Sequence, residues 1–324
     1  TLVFIVYIII IILLGLFVRF SPSASPFSTS MCFSAEWSMV FALISVIAAY
    51  IMHGKFKSTR HTCAILFFGA MEFLQVVQYF WIATEDDGWS MCKNPTNQFL
   101  TLLGFLHICL QPFFLNIALD ALWRRVSYTG RIHNDLVQRL CLVGGLWLFS
   151  RYAKVLLWPE TAEISNEACP NMDWLSAGYD GGIKQKTPND YGYSCTYRSP
   201  TKSAHISWAI PLSETSYFSP NSALHAFLMF APSLVHPDKI ARIGGVFLFV
   251  TGPLMAAWIT PSLNEQASVW CFFSMFQVVF LITASYFLMD KEVVFPPTIE
   301  HPGDGFSNEE PVHYTLTKTA KGTN

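Results

Sequence analysis

Runs of about twenty mostly apolar residues, separated by short polar stretches, recur along this chain. After Met31 they fall at about 36–52, 62–83, 98–122, 138–157, 217–235, 241–260 and 267–289. A helix that crosses a bilayer needs roughly 20 such residues, because the hydrocarbon is about 30 Å thick and every backbone N–H and C=O must be satisfied within the segment. The pattern predicts an all-α, polytopic bundle with a seven-span core. The fifth span is the weakest, since Pro220, Asn221 and Pro232 crowd its ends.

The charges between the runs predict an orientation, because short cytosolic loops are enriched in Lys and Arg. Lys55, Lys57 and Arg60 follow span one, Arg124, Arg125 and Arg131 follow span three, and Lys239 and Arg242 follow span five. The alternate loops carry Glu85, Asp86 and Asp87, then Glu160, Glu163 and Glu167, then Glu265. Spans therefore begin outside and end inside: N-out, C-in.

Composition agrees with lipid as the solvent. Of 324 residues, 52% are hydrophobic and 13% charged, where soluble domains carry about a quarter charged residues. Twenty Lys and Arg against 22 Asp and Glu leave a formal charge of −2, which advertises no nucleic-acid partner. The expected partner is the bilayer, of the plasma membrane or an endomembrane, together with a lipid-like or small polar ligand.

The flanks read differently from the core. Residues 1–30 start with an apolar run from Leu2 to Val18 and end in a Ser/Pro stretch. They form either a signal anchor, adding an eighth span, with a linker, or upstream sequence ahead of a start at Met31. The core then covers 31–290, and the tail 291–324 lacks periodicity and is expected to be disordered in the cytosol.

Cys32, Cys92, Cys169 and Cys195 fall at the outer side in this topology, where disulfides are permitted. Four cysteines allow three pairings; the reading preferred here joins Cys169 to Cys195 and Cys32 to Cys92. The long outer loop, about 158–216, turns apolar again from Cys195 through Leu212, too short to cross and suited to a re-entrant or interfacial segment. Such loops often serve as lids.

Ionisable residues deep in a membrane are costly and tend to mark functional pathways. Counting 1.5 Å per residue from the span ends puts Glu72, His107 and His225 each about 12–15 Å deep, so all three are expected to meet near the midplane. Gln75 and Gln78 continue the Glu72 face outward, and Gln111 lies one turn from His107 ahead of Pro112. Two imidazoles and a carboxylate suit a divalent metal such as zinc, with His107 and His225 as ligands and Glu72 as the catalytic ligand or base, for metal-assisted hydrolysis of a lipid-like substrate. Gln75, Gln78, Gln111 and, at the outer mouth, Glu214 would line the ligand site. The same cavity without metal would serve a receptor or a small-solute or proton transporter, and polar side chains also simply hold helices together. Arg151 and Lys154, near the outer end of span four, are expected to snorkel to headgroups.

The stretch Met31-Cys-Phe-Ser-Ala35 followed by Trp37-Ser38, with Gly69-Ala-Met-Glu72-Phe-Leu-Gln75 and Ser222-Ala-Leu-His225 through Pro232, resembles an uncharacterised family of multi-span membrane proteins whose members open in this way. The resemblance implies the fold and carries no activity. Alkaline-ceramidase-like hydrolases resemble the chain in topology, but their paired histidines on one helix are missing. Rhodopsin-like receptors are similar in topology, and a partner for Cys92 in the following outer loop would be similar to their disulfide. Their Asp-Arg-Tyr and Asn-Pro-x-x-Tyr signatures are absent.

Overall fold

The computed structural model describes residues 35–86, 88–123, 128–158, 194–199, 205–213, 222–236, 239–260, 262, 264–274 and 277, without the side chains of 56, 120–123, 128–133, 222, 240 and 241. The predicted segments 1–30 and 291–324, together with Cys32, Cys169, Glu214 and most of span seven, lie outside them.

Apolar runs become helices because a helix satisfies its own backbone in lipid. They are α1 (Ala35–Phe56), α2 (Thr59–Tyr79), α3 (Pro95–Trp123) and α4 (Tyr128–Leu157), then α5 (Ser222–Leu234) and α6 (Lys239–Phe249), and α7 over 264–274. Five stretches among the described residues are long and apolar enough to cross a membrane: Ala35–Lys55, Thr59–Tyr79, Pro95–Leu119, Asn134–Leu157 and Arg242–Ile259. The last runs through α6 into a π turn, Val250–Leu254, and a final helical segment, Met255–Ile259. The 13 described residues of α5 span only about 20 Å.

Local sequence sets the helix boundaries. Lys57 takes a left-handed φ of 52° and ends α1, and Ser58, extended, opens α2 with its carbonyl accepting the Thr62 N–H at 3.1 Å. The reversal lays α1 against α2, and Gly69 lets them close: a Cβ there would collide with the Ser45 side chain. Gly145 does the same for α3 and α4, lying against the Cys109 carbonyl.

The π turn contains Pro253. In a π register the N–H of residue 253 would bond to the Leu248 carbonyl, and proline has none. Gln277 supplies the missing donor, its Nε2 standing 3.1 Å from Leu248 O.

Within the segment expected to be re-entrant or interfacial, the described residues form a β-hairpin, so the fold is not purely helical. Strand β1 (Cys195–Arg198) pairs antiparallel with β2 (Ile206–Ala209), Thr196 facing Trp208. The hairpin continues onto the chain leaving α2, where Ala83 pairs with Tyr197. A disulfide joins Cys92 to Cys195 across 103 residues of sequence. This corrects the preferred pairings: docking the hairpin beside the short helical turn Ser90–Lys93 puts Cys195 next to Cys92.

Trp208 is 1% exposed and packs with Met71, Phe105, Cys109, Leu148, Tyr152 and Cys271 inside the bundle. One further expectation changes. Arg151 is buried instead of snorkelling: its Nη2 donates to the Ser213 carbonyl at 2.7 Å, and Ser213 N–H donates back to the Arg151 carbonyl at 3.2 Å. A guanidinium can fork onto the backbone of the strand exit, which offsets the loss of headgroup contacts.

Candidate functional site

The hairpin docks by hydrogen bonds that α2 and α3 present to it. Asn97 of α3 receives the Thr196 N–H on Oδ1 and donates Nδ2 to the Thr196 carbonyl, both at 2.8 Å, and also donates to Trp81 O at 2.6 Å. Gln78 of α2 donates to Leu100 O at 3.0 Å and accepts the Trp208 indole N–H at 3.2 Å. Gly104, beside both Gln78 and Trp208, leaves the space for that contact. On the other side Glu265 accepts the His205 N–H at 3.0 Å and the Thr260 hydroxyl at 2.6 Å. Burial disfavours the charged ring and pushes the His205 imidazole down to about 3.

Beneath this cap lies Glu72, 1% exposed. Ser38 of α1 approaches it, but that hydroxyl donates to Gln75 Oε1 at 3.4 Å, and neither Glu72 oxygen has a hydrogen-bond partner. Gln75 Nε2 is likewise buried without a partner. Gln111 donates weakly to Cys271 Sγ at 3.6 Å, and Cys271 lies within the electrostatic reach of Glu72. The structure thus brings Glu72, Gln75, Gln78 and Gln111 into the bundle interior under the hairpin. Native proteins rarely leave buried polar atoms unpaired, and the exceptions call for an explanation.

The two histidines go elsewhere. The His107 ring lies flat on Phe67, centroids 3.8 Å apart, with Phe114 stacked on the opposite side of Phe67 at 3.8 Å. His225 stands edge-on to Trp270 at 6.1 Å. Helix register accounts for the separation of His225 from Glu72, whereas His107 lies nearly level with Glu72 and is turned onto Phe67. Gln78 is level with Leu100, and Asn116 donates to Leu228 O at 3.1 Å. Counting from these contacts puts Glu72 level with residue 106 and His225 level with residue 113, about 10 Å deeper at 1.5 Å per residue. Among the described residues no three His, Cys, Asp or Glu side chains are grouped so that they could hold a metal ion. The expected centre of His107, His225 and Glu72 is therefore not formed, and metal-assisted hydrolysis is not carried further.

Sequence reasoning missed Asn97, Thr196 and Arg151 as organisers of the cap. Asn97 offered a signal, an amide at the mouth of an apolar run.

Among the described residues, five helical stretches of membrane length around a buried polar interior define a helical membrane protein. The chain belongs to a family of unknown function (DUF5765), whose model matches residues 36–289. No curated protein matches the chain, and no solved structure does.

Proposed function

We propose that this is a seven-span membrane protein, N-terminus outside, whose outward-facing intramembrane site binds and exchanges a proton or a small cation at Glu72, as a transporter does. The observation that carries the reading is the Glu72 carboxyl group, 1% exposed, with the Ser38 hydroxyl nearby and no hydrogen bond of normal geometry on either oxygen. Holding a carboxyl group there lowers stability, and bundles retain such groups where they serve an ion pathway. Gln75 and Gln111 supply neutral dipoles, which suit a site that gains and loses charge.

The orientation is supported by the alternation of basic and acidic loops. The disulfide adds to it, because Cys92–Cys195 lies at the end of the bundle opposite Lys55 and Lys57 and belongs in an oxidising compartment. The hairpin covers Glu72 on that outer side, so access from outside requires it to shift or water to pass beside it.

The test is modification by a hydrophobic carbodiimide, which attacks carboxyl groups in apolar surroundings. Peptide mapping of the folded protein is expected to find Glu72 modified stoichiometrically, and Glu72→Gln to remove that adduct. Glu72 left unmodified while other carboxyl groups react would overturn the reading.

A further inference from the structure

A second set of buried polar groups lies between Glu72 and the inner face. Asn116 of α3 is fully buried; its Nδ2 donates to Pro112 O at 2.8 Å and Leu228 O at 3.1 Å, and contacts Cys141 Sγ at 3.3 Å. Those two carbonyls fix the amide orientation, which leaves Asn116 Oδ1 buried with no partner. Gln138, 8% exposed, lies one turn further in on the face of α4 that carries Cys141, and its Nε2 is also buried with no partner. Asn134, buried, continues that face to the inner end.

Gln111 is five residues before Asn116, about 7.5 Å further out and about 140° round α3, facing Cys271 where Asn116 faces Cys141 and Leu228. Outward to inward, polar side chains therefore recur from Gln78 through Gln75, Glu72 and Gln111 to Asn116 and Gln138. All are buried in the bundle, and none after Glu72 is charged. A packed helix interface with no pathway role needs no unpaired acceptor on one helix and unpaired donor on the next.

We propose that Asn116 and Gln138 line the inner half of a hydrated pathway that begins at Glu72, so that the protein conducts protons across the membrane. The proposal rests on the proton-exchange reading of Glu72. Neutral amides favour protons over solute cations here: they can orient waters for proton hopping, whereas a desolvated cation would meet no counter-charge along this stretch. Asn116 Oδ1 accepts and Gln138 Nε2 donates, the two contacts that a short hydrogen-bonded chain needs at its walls.

The experiment uses the full chain in proteoliposomes, with the membrane potential clamped and an internal pH dye reporting proton flux, alongside carbodiimide labelling of Glu72. Asn116→Leu and Gln138→Leu are each expected to lower flux at least tenfold and to leave Glu72 labelling unchanged, which also reports that the variants fold. As a second measurement, Gln138→Cys in a Cys63→Ser background is expected to react with a membrane-impermeant thiol reagent from the inner face, and the adduct to stop flux. Wild-type protein that labels at Glu72 but carries no flux would overturn the inner pathway and leave the outer site standing, as would flux indifferent to both leucine variants. Failure of Glu72 to label removes the outer site itself.

Discussion

Asn97 reads the backbone of Thr196 as a neighbouring strand would, taking its N–H and giving to its C=O at 2.8 Å each. One side chain on a membrane helix thereby fixes the register of the hairpin that caps the bundle, and Thr101 adds a hydroxyl contact to Thr196 Oγ1 at 2.9 Å. Leaving a buried amide or carbonyl unpaired costs about 1–3 kcal/mol. Asn97→Ala orphans the Thr196 N–H, while the Thr196 carbonyl keeps the Ala83 N–H at 3.1 Å; the expected loss is about 2 kcal/mol, read as a lowered unfolding midpoint in detergent. Asn97→Asp keeps the acceptor and should lose less; equal losses for the two would remove this account of the docking.

The disulfide gives a second prediction. Peptide mapping without reductant should link Cys92 to Cys195, with no Cys169–Cys195 product. Closing a loop of this length stabilises by about 4.7 kcal/mol on the chain-entropy model. Cys195→Ser should accordingly lower the unfolding midpoint far more than Cys169→Ser, and a link between Cys169 and Cys195 would contradict the hairpin placement.

Glu72 should behave as a group kept for its chemistry. Its carboxyl group receives no hydrogen bond of normal geometry, so Glu72→Gln is expected to leave the fold intact or raise stability by about 1 kcal/mol, as at other sites where function and stability oppose each other. Thermal unfolding with and without the substitution checks the direction. A marked loss in Glu72→Gln would mean that the carboxylate is a structural partner after all.

Acid should loosen the cap. The His205 imidazole sits well below its ordinary 6.5, at about 3, because burial disfavours its charged form. Its stabilising contribution is therefore complete above pH 6.5 and is lost progressively as pH falls toward 3, since the unfolded chain takes up the proton first. Its Nδ1 accepts the Ile206 N–H at 2.7 Å, a bond the protonated ring cannot make. His205→Gln should flatten the fall in unfolding temperature between pH 6.5 and 4. Parallel slopes for the two proteins would exclude His205 as the source.

His107 is predicted to act as an aromatic ring. Stacked on Phe67 at 3.8 Å, with Nε2 buried and unpartnered, it should tolerate His107→Phe within about 1.5 kcal/mol, as volume-conserving core swaps do. Elemental analysis should find the same transition-metal content, below stoichiometric, in both proteins. A stoichiometric metal lost with the substitution would revive the ligand role.

The chain's own pattern carried the membrane class, since a helix in lipid must be long and apolar along its whole length and that requirement is written residue by residue. It carried the buried Glu72 and its Gln75, Gln78 face, because a three-residue step on one helix is a local property. It did not carry which cysteine meets Cys92, that Arg151 turns inward to Ser213, or that His225 lies a turn and more below Glu72. Those depend on how far one helix slides past another and on where a hairpin distant in sequence docks. Periodicity places a residue around a helix but leaves the relative height of two helices open. Here that height is set by contacts such as Gly69 on Ser45, Asn116 on Leu228 and Asn97 on Thr196, which exist only once the chain has folded.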